Sequence, residues 1–344
     1  MNRVSNVYPE TNRILLAHGS GGELSHELVT SLFVKAFHNP LLDPLDDGAV
    51  LEVAGERWAF TTESYVVTPI FFPGGDIGKL AVCGTVNDLS MSGARPLFLS
   101  AGFIIEEGFP LSSLQTIVAS MQETAVEANV KIVTGDTKVV NRGGADGIFI
   151  NTAGIGRIPD GVQISGSLAR PGDRVLLSGS IGDHGVAILS SREGLQFSTT
   201  LQSDCAPLNG LVAAMLEVSK EIRCLRDPTR GGLSSTLNEL ARQSDVGVWV
   251  EEDRIPIREE VQGACELLGF DPLLLANEGK LVAIVAAEAA EMILQRMKSH
   301  PQGRDAAIIG EVREEPKGKV IQRTRIGLTR IVDMMVGEPL PRIC

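Results

Sequence analysis

Small acidic clusters set beside glycines recur along the 344-residue chain: Asp46-Asp47-Gly48-Ala49, Thr61-Thr62-Glu63-Ser64, Asn87-Asp88, Gly135-Asp136-Thr137-Lys138 and Asp227-Pro228-Thr229-Arg230-Gly231-Gly232. Any one of them reads as a solvated loop or a helix cap. Together they suit a hard cation such as magnesium, which takes oxygen ligands and keeps room for water and phosphate. Glycines let backbone N–H groups approach phosphate oxygens. The loop His18-Gly19-Ser20-Gly21-Gly22 runs into a predicted helix whose N-terminus favours anions. Lys138, beside Asp136, has the charge to neutralise a transferring phosphoryl group. Two familiar nucleotide motifs fail. Around Gly78-Lys79, Pro73 and Leu80 stand where a P-loop needs a glycine and a hydroxyl, and Pro159 takes the place of the third glycine after Gly154-Ile155-Gly156.

The five cysteines are Cys83, Cys205, Cys224, Cys265 and Cys344. Their odd number, wide spacing and lack of a CxxC pair argue against a disulfide framework or a zinc knuckle. Four lie among apolar or small residues and read as buried thiols. The fifth ends the chain. Gly337, Pro339 and Pro341 resist helix formation, so an extended, mobile arm is expected before it. Fully extended from Pro316, that arm would reach at most about 95 Å. The terminal carboxylate should raise the Cys344 thiol pKa, with Arg342 placed to offset it.

Between Asp47 and Ile155, short β-rich runs alternate with helical patterns at Ile77–Ser92 and Leu111–Ala128. Arg170-Pro171-Gly172-Asp173 is a turn, after which the alternation resumes. The pattern predicts an α/β (α+β) fold in two domains. An N-terminal arm and helix with the Gly-rich loop span 1–40. An N-terminal α/β domain spans 41–160, a C-terminal α/β domain 161–313 and a mobile tail 314–344.

Formal net charge is −12 and aromatic residues make up 4% of the chain, which disfavours nucleic-acid binding. The charge is uneven: from Pro316 onward six basic residues face two acidic ones, a net +4 on an acidic body. No apolar run is long enough for a membrane span, and the first residues lack the apolar core of a signal peptide, so a cytoplasmic location is expected.

The clusters, taken in order, resemble the superfamily of aminoimidazole ribonucleotide synthetase, selenophosphate synthetase and thiamine-monophosphate kinase. Within it they are similar to the HypE family of hydrogenase maturation factors. The resemblance is carried by His18-Gly-Ser-Gly-Gly22, Asp46-Asp-Gly-Ala49, Thr62-Glu-Ser-Tyr-Val-Val-Thr-Pro69, Asn87-Asp-Leu-Ser-Met-Ser-Gly-Ala-Arg-Pro96, Thr134-Gly-Asp-Thr-Lys138, Asp227-Pro-Thr-Arg-Gly-Gly-Leu233, Asn277-Glu-Gly-Lys280 and Pro341-Arg-Ile-Cys344.

The resemblance implies that N-terminal domains pair in a homodimer and that ATP and Mg2+ bind near that interface. It makes Asp46, Asp47, Glu63, Asp88, Asp136 and Asp227 metal or phosphate-site candidates, with Glu63 standing where many relatives have Asp. Gly19, Ser20, Gly21, Gly22, Asn87 and Thr137 become nucleotide-binding candidates. Cys344 becomes a carrier, loaded with a carboxamide by a HypF carbamoyltransferase. Its thiocarboxamide is then dehydrated with ATP to a thiocyanate, and the cyano group passes to iron on a HypC–HypD complex. Lys138 and magnesium are expected to stabilise the phosphoryl charge, Glu278 to remove the nitrogen proton, and Arg230 to position phosphates or tail. The competing readings are a small-molecule synthetase or kinase of the same superfamily and a non-enzymatic assembly scaffold.

Overall fold

The structure, a computed structural model, describes residues 13–192, 200–335 and 342–344. After the glycine loop, the chain forms α1 (Glu23–Leu28), a π-turn at Val29–Val34 and α2 (Lys35–Phe37). Gly22 precedes α1 as its cap residue, and the Ser20 hydroxyl donates to Ala17 O at 2.8 Å.

The N-terminal sheet opens with a hairpin of β1 (Ala49–Val53) and β2 (Glu56–Tyr65), and a short ribbon, β3 (Phe71–Phe72) and β4 (Gly75–Asp76), follows. Asp76 then caps α3 (Ile77–Met91) by accepting from the amides of Gly78 and Lys79 at 2.7 and 3.1 Å. All of α3 except Lys79 is buried, because its faces meet the sheet, α4 (Leu111–Glu127) and the C-terminal domain at once. β5 (Arg95–Glu106) pairs in parallel with β6 (Lys131–Val140), and β7 (Ile148–Arg157) inserts antiparallel between β2 and β5. The resulting order, β1-β2-β7-β5-β6, leaves β6 at one edge. Side chains alternate across the sheet. One face packs on α3 and α4, while the other exposes Phe60, Phe98, Ile104 and Ile155.

The C-terminal domain runs through β8 (Arg174–Leu177), α5 (Asp183–Ser190), α6 (Asn209–Val218), β9 (Ile222–Arg226), α7 (Gly232–Gln243), β10 (Gly247–Glu251), α8 (Glu259–Leu268), β11 (Val282–Val285), α9 (Ala287–Lys298), β12 (Ala307–Arg313), β13 (Lys319–Arg323) and β14 (Thr329–Val332). Its sheet order is β14-β13-β10-β12-β8-β11-β9. One apolar core continues from α3 through α6 into α9, so the two domains share packing rather than a linker. Among the described residues no helix is long and apolar enough to cross a membrane.

The predicted tail boundary needs correction. Residues 319–332 form β13 and β14: β13 pairs in parallel with β10, and Val320 and Val332 lie in the domain core. The basic segment is pinned to acidic partners, Lys317 to Asp245 at 2.7 Å, Arg323 to Glu251 at 3.4 Å and Arg330 to Asp271 at 2.8 Å. The +4 segment therefore folds back on the acidic body. Met335 is held too, its carbonyl accepting from Glu23 N at 2.9 Å. Gly337, Pro339 and Pro341, on which the expected extended arm rests, lie outside the described residues. A core role for Val320 predicts that Val320→Ala lowers the urea-unfolding free energy by about 2 kcal/mol, whereas a residue on a solvated tail would change it by under about 0.5 kcal/mol.

Candidate active site

The candidate carboxylates are delivered by element ends around α3. Asp88 leaves the buried helix to meet Thr61 of β2, whose hydroxyl lies 2.9 Å from Asp88 Oδ2 and 2.9 Å from Asp47 O. Asp46 and Asp47 precede β1, and Asp227 follows β9. Arg226 stands among them, its Nε 3.3 Å from Asp47 Oδ1 and its Nη2 3.9 Å from Asp46 Oδ1, with Glu239 on the third side. One of the Asp46 oxygens is already used, accepting from Gly166 N at 2.8 Å across the domain junction.

Burial and mutual repulsion hold Asp47, Asp88, Asp227 and Glu63 above their ordinary pKa values. Burial is the main cause at Asp47, which is pushed up to about 7 against the opposing pull of Arg226. Asp88 is raised by burial and then by Glu63, Asp227 and Asp47, and Asp227 by burial and then by Asp47 and Glu63. Glu63 is raised by burial and partly relieved by Arg230. Such a set is short of positive charge. Asp47 Oδ2, Glu278 Oε1 and the Tyr65 hydroxyl are buried without a well-formed hydrogen bond.

These orphaned oxygens and crowded acids fit a magnesium–phosphate group. Among the described residues no three His, Cys, Asp or Glu side chains converge as a protein-only metal cage. Magnesium does not need one, since one or two carboxylates with phosphates and waters complete its shell.

The glycine loop lines the same region. Gly19, Gly21 and Gly22 border a cleft of about 550 Å3 with Asp46, Asp47, Arg226 and Arg230. Two of these glycines answer first to packing. A Cβ on Gly21 would sit 2.7 Å from Arg230 O, and one on Gly22 would sit 2.1 Å from Met335 O. Ser20 is buried. Asn87 is fully engaged elsewhere: its amide nitrogen donates to Ala206 O and Glu278 O at 3.2 and 3.3 Å, and its oxygen accepts from Leu208 N at 2.8 Å. It acts as a clamp that ties the Glu278 loop to α3.

Glu278 is 3% exposed, and its pKa stands well above the usual range because of burial, then Cys205 and Asp227. Its backbone N–H donates to Asp204 Oδ1 at 3.0 Å, and Asp204 in turn pairs with Lys280 at 2.9 Å. Arg230 donates to Gly19 O at 2.7 Å. Among the causes that raise the Arg230 pKa, Cys344 ranks first, while burial opposes it and Glu63 and Glu278 add to it. The chain terminus, the candidate base and the candidate guanidinium therefore share one electrostatic neighbourhood.

That proximity comes from docking of residues 342–344 on the segment that follows β2. Val66 N donates to Cys344 O and Thr68 N to Arg342 O, both at 3.1 Å. Arg342 is spent on Val66 O, at 2.9 Å, and on Asp146, so Arg230 supplies the positive charge facing the terminal residue. Ile343 is buried in the core. None of the five cysteines forms a disulfide. Cys83, Cys205, Cys224 and Cys265 are buried, as their surroundings predict.

Asp136, Thr137 and Lys138 stand apart. They lie on β6, where Asp136 and Lys138 pair with each other at 2.8 Å while about two-thirds exposed (68% and 69%). Register places Asp136 beside Gly102, Asn151 and Ser64 in turn, on the face opposite to Glu63. Three inter-strand spacings, about 14 Å, separate β6 from β2. Within one chain, Lys138 does not join the Glu278 cleft. His184, which precedes Gly185 in the sequence, meets the docked terminus. It is buried, with Nδ1 2.8 Å from Ser203 Oγ and Nε2 2.8 Å from Ile343 O. No spacing signal marks it, because its partners lie 19 and 159 residues away.

Both domains are of AIR synthase related type: the N-terminal family model matches residues 45–158 and the C-terminal one residues 170–323. The carbamoyl dehydratase HypE of Azotobacter vinelandii is 58% identical over 329 residues, 96% of either chain. That of Escherichia coli K12 is 49% identical over 338 residues, 97% of this chain and all of its own. A solved HypE–HypF complex superposes with a TM-score of 0.86 at 53% identity, over 90% of this chain and 99% of that one. A HypE solved in complex with ATP gives 0.81 at 52% identity, over 96% and 100%. The chain belongs to the HypE carbamoyl dehydratase family.

The electrostatics of Asp47 are open to a direct check. Its ordinary pKa is 3.8 and the folded value about 7. As pH rises from 4 to 7, the unfolded chain has released this proton while the folded chain still holds it, so stability falls through that window. Asp47→Asn is expected to raise the melting temperature of the nucleotide-free protein at pH 8 and to flatten its dependence between pH 5 and 8, read by calorimetry.

Proposed function

We propose that this chain dehydrates a carboxamide carried on the sulfur of its own Cys344 to a thiocyanate, consuming ATP. The observation that carries the reading is the docked terminus, which puts Cys344 in the charge field of Arg230 together with Glu63 and Glu278. The ATP complex of a 52%-identical HypE supports the nucleotide. An amide does not lose water readily, because oxide is a poor leaving group; phosphorylation of the amide oxygen makes the leaving group phosphate.

The carbamoyl oxygen attacks the γ-phosphorus of ATP and ADP departs. One N–H proton passes to solvent as the oxygen is phosphorylated, leaving S–C(OPO3)=NH; Glu278 then takes the second as the C–O bond breaks, phosphate leaves and the C≡N bond is completed. In sum, S–CO–NH2 and ATP give S–C≡N, ADP, phosphate and a proton. A raised Glu278 pKa makes that carboxylate a stronger base once ionised. Asp47, Asp88 and Asp227, with Glu63 behind them, would hold magnesium and the triphosphate beside the 19–22 loop. The ion's contribution there is charge neutralisation on the phosphoryl oxygens.

Lys138 enters from a second copy. Its position on the opposite sheet face leaves the single-chain site without it, and the same face exposes Phe60, Phe98, Ile104 and Ile155, an apolar surface suited to self-pairing. Asp136 and Thr137 would come with it, orienting Lys138 on arrival. HypF is the donor of the carboxamide, a role supported by the solved HypE–HypF complex, and a HypC–HypD complex is the acceptor of the cyano group.

Two measurements test the reading. After incubation with the carbamoyl-loading partner and ATP, mass spectrometry of the C-terminal peptide is expected to show an adduct of about 43 Da replaced by one of about 25 Da. Glu278→Gln should stop at the first, and conversion by that variant at the wild-type rate removes Glu278 as the base. Mixing Lys138→Ala with Glu278→Gln chains is expected to restore about a quarter of wild-type activity, since mixed dimers carry one intact site. No restoration would place Lys138 in its own chain's site.

A further inference from the structure

His184 takes no part in the chemistry above, yet it is the buried side chain that reads the docked terminus from below. It opens the second position of α5, is fully buried, and stacks edge-on with Phe72, ring centroids 5.5 Å apart. Its two nitrogens have different duties, and the chemistry of their partners settles which carries the proton. Ile343 O, 2.8 Å from Nε2, accepts only, so Nε2 must donate. Nδ1 then accepts from the Ser203 hydroxyl at 2.8 Å, while Ser203 Oγ itself accepts from Cys205 N–H at 3.1 Å. Burial lowers the imidazole pKa, consistent with a neutral ring.

We propose that His184, as the Nε2–H tautomer, is a positioning residue that sets the register of the docked carrier. It fixes the carbonyl of residue 343 so that the next residue, Cys344, falls opposite Val66 and facing Arg230. The proposal rests on the reading of Cys344 as the carrier. The other backbone contacts flank this one. Val66 N holds Cys344 O and Thr68 N holds Arg342 O, both from residues 66–68, leaving the carbonyl of 343 to point away from that segment. Only a donor from the α5 side can satisfy it, and Ile343 is buried, so water cannot substitute at no cost. Ser203 and His184 thus form a relay that begins on the segment carrying Cys205 and ends at the residue before the carrier thiol.

The test uses the full-length protein and three forms of residue 184. Gln presents an amide N–H near the position of Nε2 and an oxygen for Ser203; Phe keeps the ring and loses both. Alkylation of Cys344 by iodoacetamide, followed by mass spectrometry, reads docking without any chemistry on the carrier. Loss of one such hydrogen bond is expected to raise the labelling rate about five-fold in His184→Phe. The four buried thiols should stay protected, and single-turnover dehydration should slow with the half-saturating ATP concentration unchanged. His184→Gln should recover both rates. Unchanged labelling in His184→Phe, or a Gln variant as impaired as Phe, overturns the proposal.

If the buried thiols of the Phe variant also react, its fold is lost and the wild-type protein decides. Imidazole 15N shifts should report Nε2–H for His184, and an Nδ1–H signature overturns the assignment. If the wild type forms no thiocyanate while the labelling pattern holds, the positioning role stands and the dehydratase reading falls.

Discussion

The molecule is organised around a helix that has no solvent face. α3 touches the N-terminal sheet, α4 and the C-terminal domain, and its sequence shows what that demands. Gly78 lies where a Cβ would come within 2.5 Å of Ile117 O, and Gly84 where one would come within 2.2 Å of the Tyr65 hydroxyl. Residues with side chains would push α4 and β2 away from the helix. Close packing of this kind makes the helix a rigid reference for everything attached to it. Asp88 takes its place in the carboxylate group from its last turn, and Asn87 fixes the Glu278 loop from the turn's other side. The two domains contribute to one site because one helix belongs to both cores.

Charge follows from that burial. Acids crowded into a poorly solvated junction are costly unless cations or protons compensate them, and Arg226 alone cannot balance Asp46, Asp47 and Glu239 while Asp88, Asp227 and Glu63 stand nearby. The apo protein answers with raised pKa values. Under the proposed reading a nucleotide–magnesium complex would answer more completely, making ligand affinity and the instability of the ligand-free protein two sides of one arrangement. The same logic governs the surface: the basic 317–330 segment finds partners at Asp245, Glu251 and Asp271 and turns a charge asymmetry into a sheet edge.

Much of this was legible in the residues. Helices α3 and α4 fall within one residue of the expected Ile77–Ser92 and Leu111–Ala128, because amphipathic or fully apolar periodicity and turn chemistry are local signals. The acidic clusters were visible as types beside glycines. Three things were not. β13 and β14 read as tail because Lys319, Arg323, Thr329 and Arg330 look solvated, and only pairing with β10 reveals Val320 and Val332 as core. The glycines of 19–22 read as phosphate ligands, yet Gly21 and Gly22 are also required by the close passage of Arg230 and Met335. Lys138 and Asp136 appeared beside the other acids in type but stand on the reverse of the sheet, since strand order is a long-range property.

Fixing Met335 against Glu23 shortens the leash on Cys344. Only nine peptide steps remain between that anchor and Cys344, about 30 Å at full stretch, a third of what an untethered segment from Pro316 would allow. A thiol confined to a sphere of that radius experiences its own cleft at an effective concentration of order 10 mM. Even a docking interaction worth only a few hydrogen bonds therefore keeps the terminus home most of the time. Any protein that loads or unloads it must bring its own catalytic pocket to within that radius rather than wait for the arm to arrive.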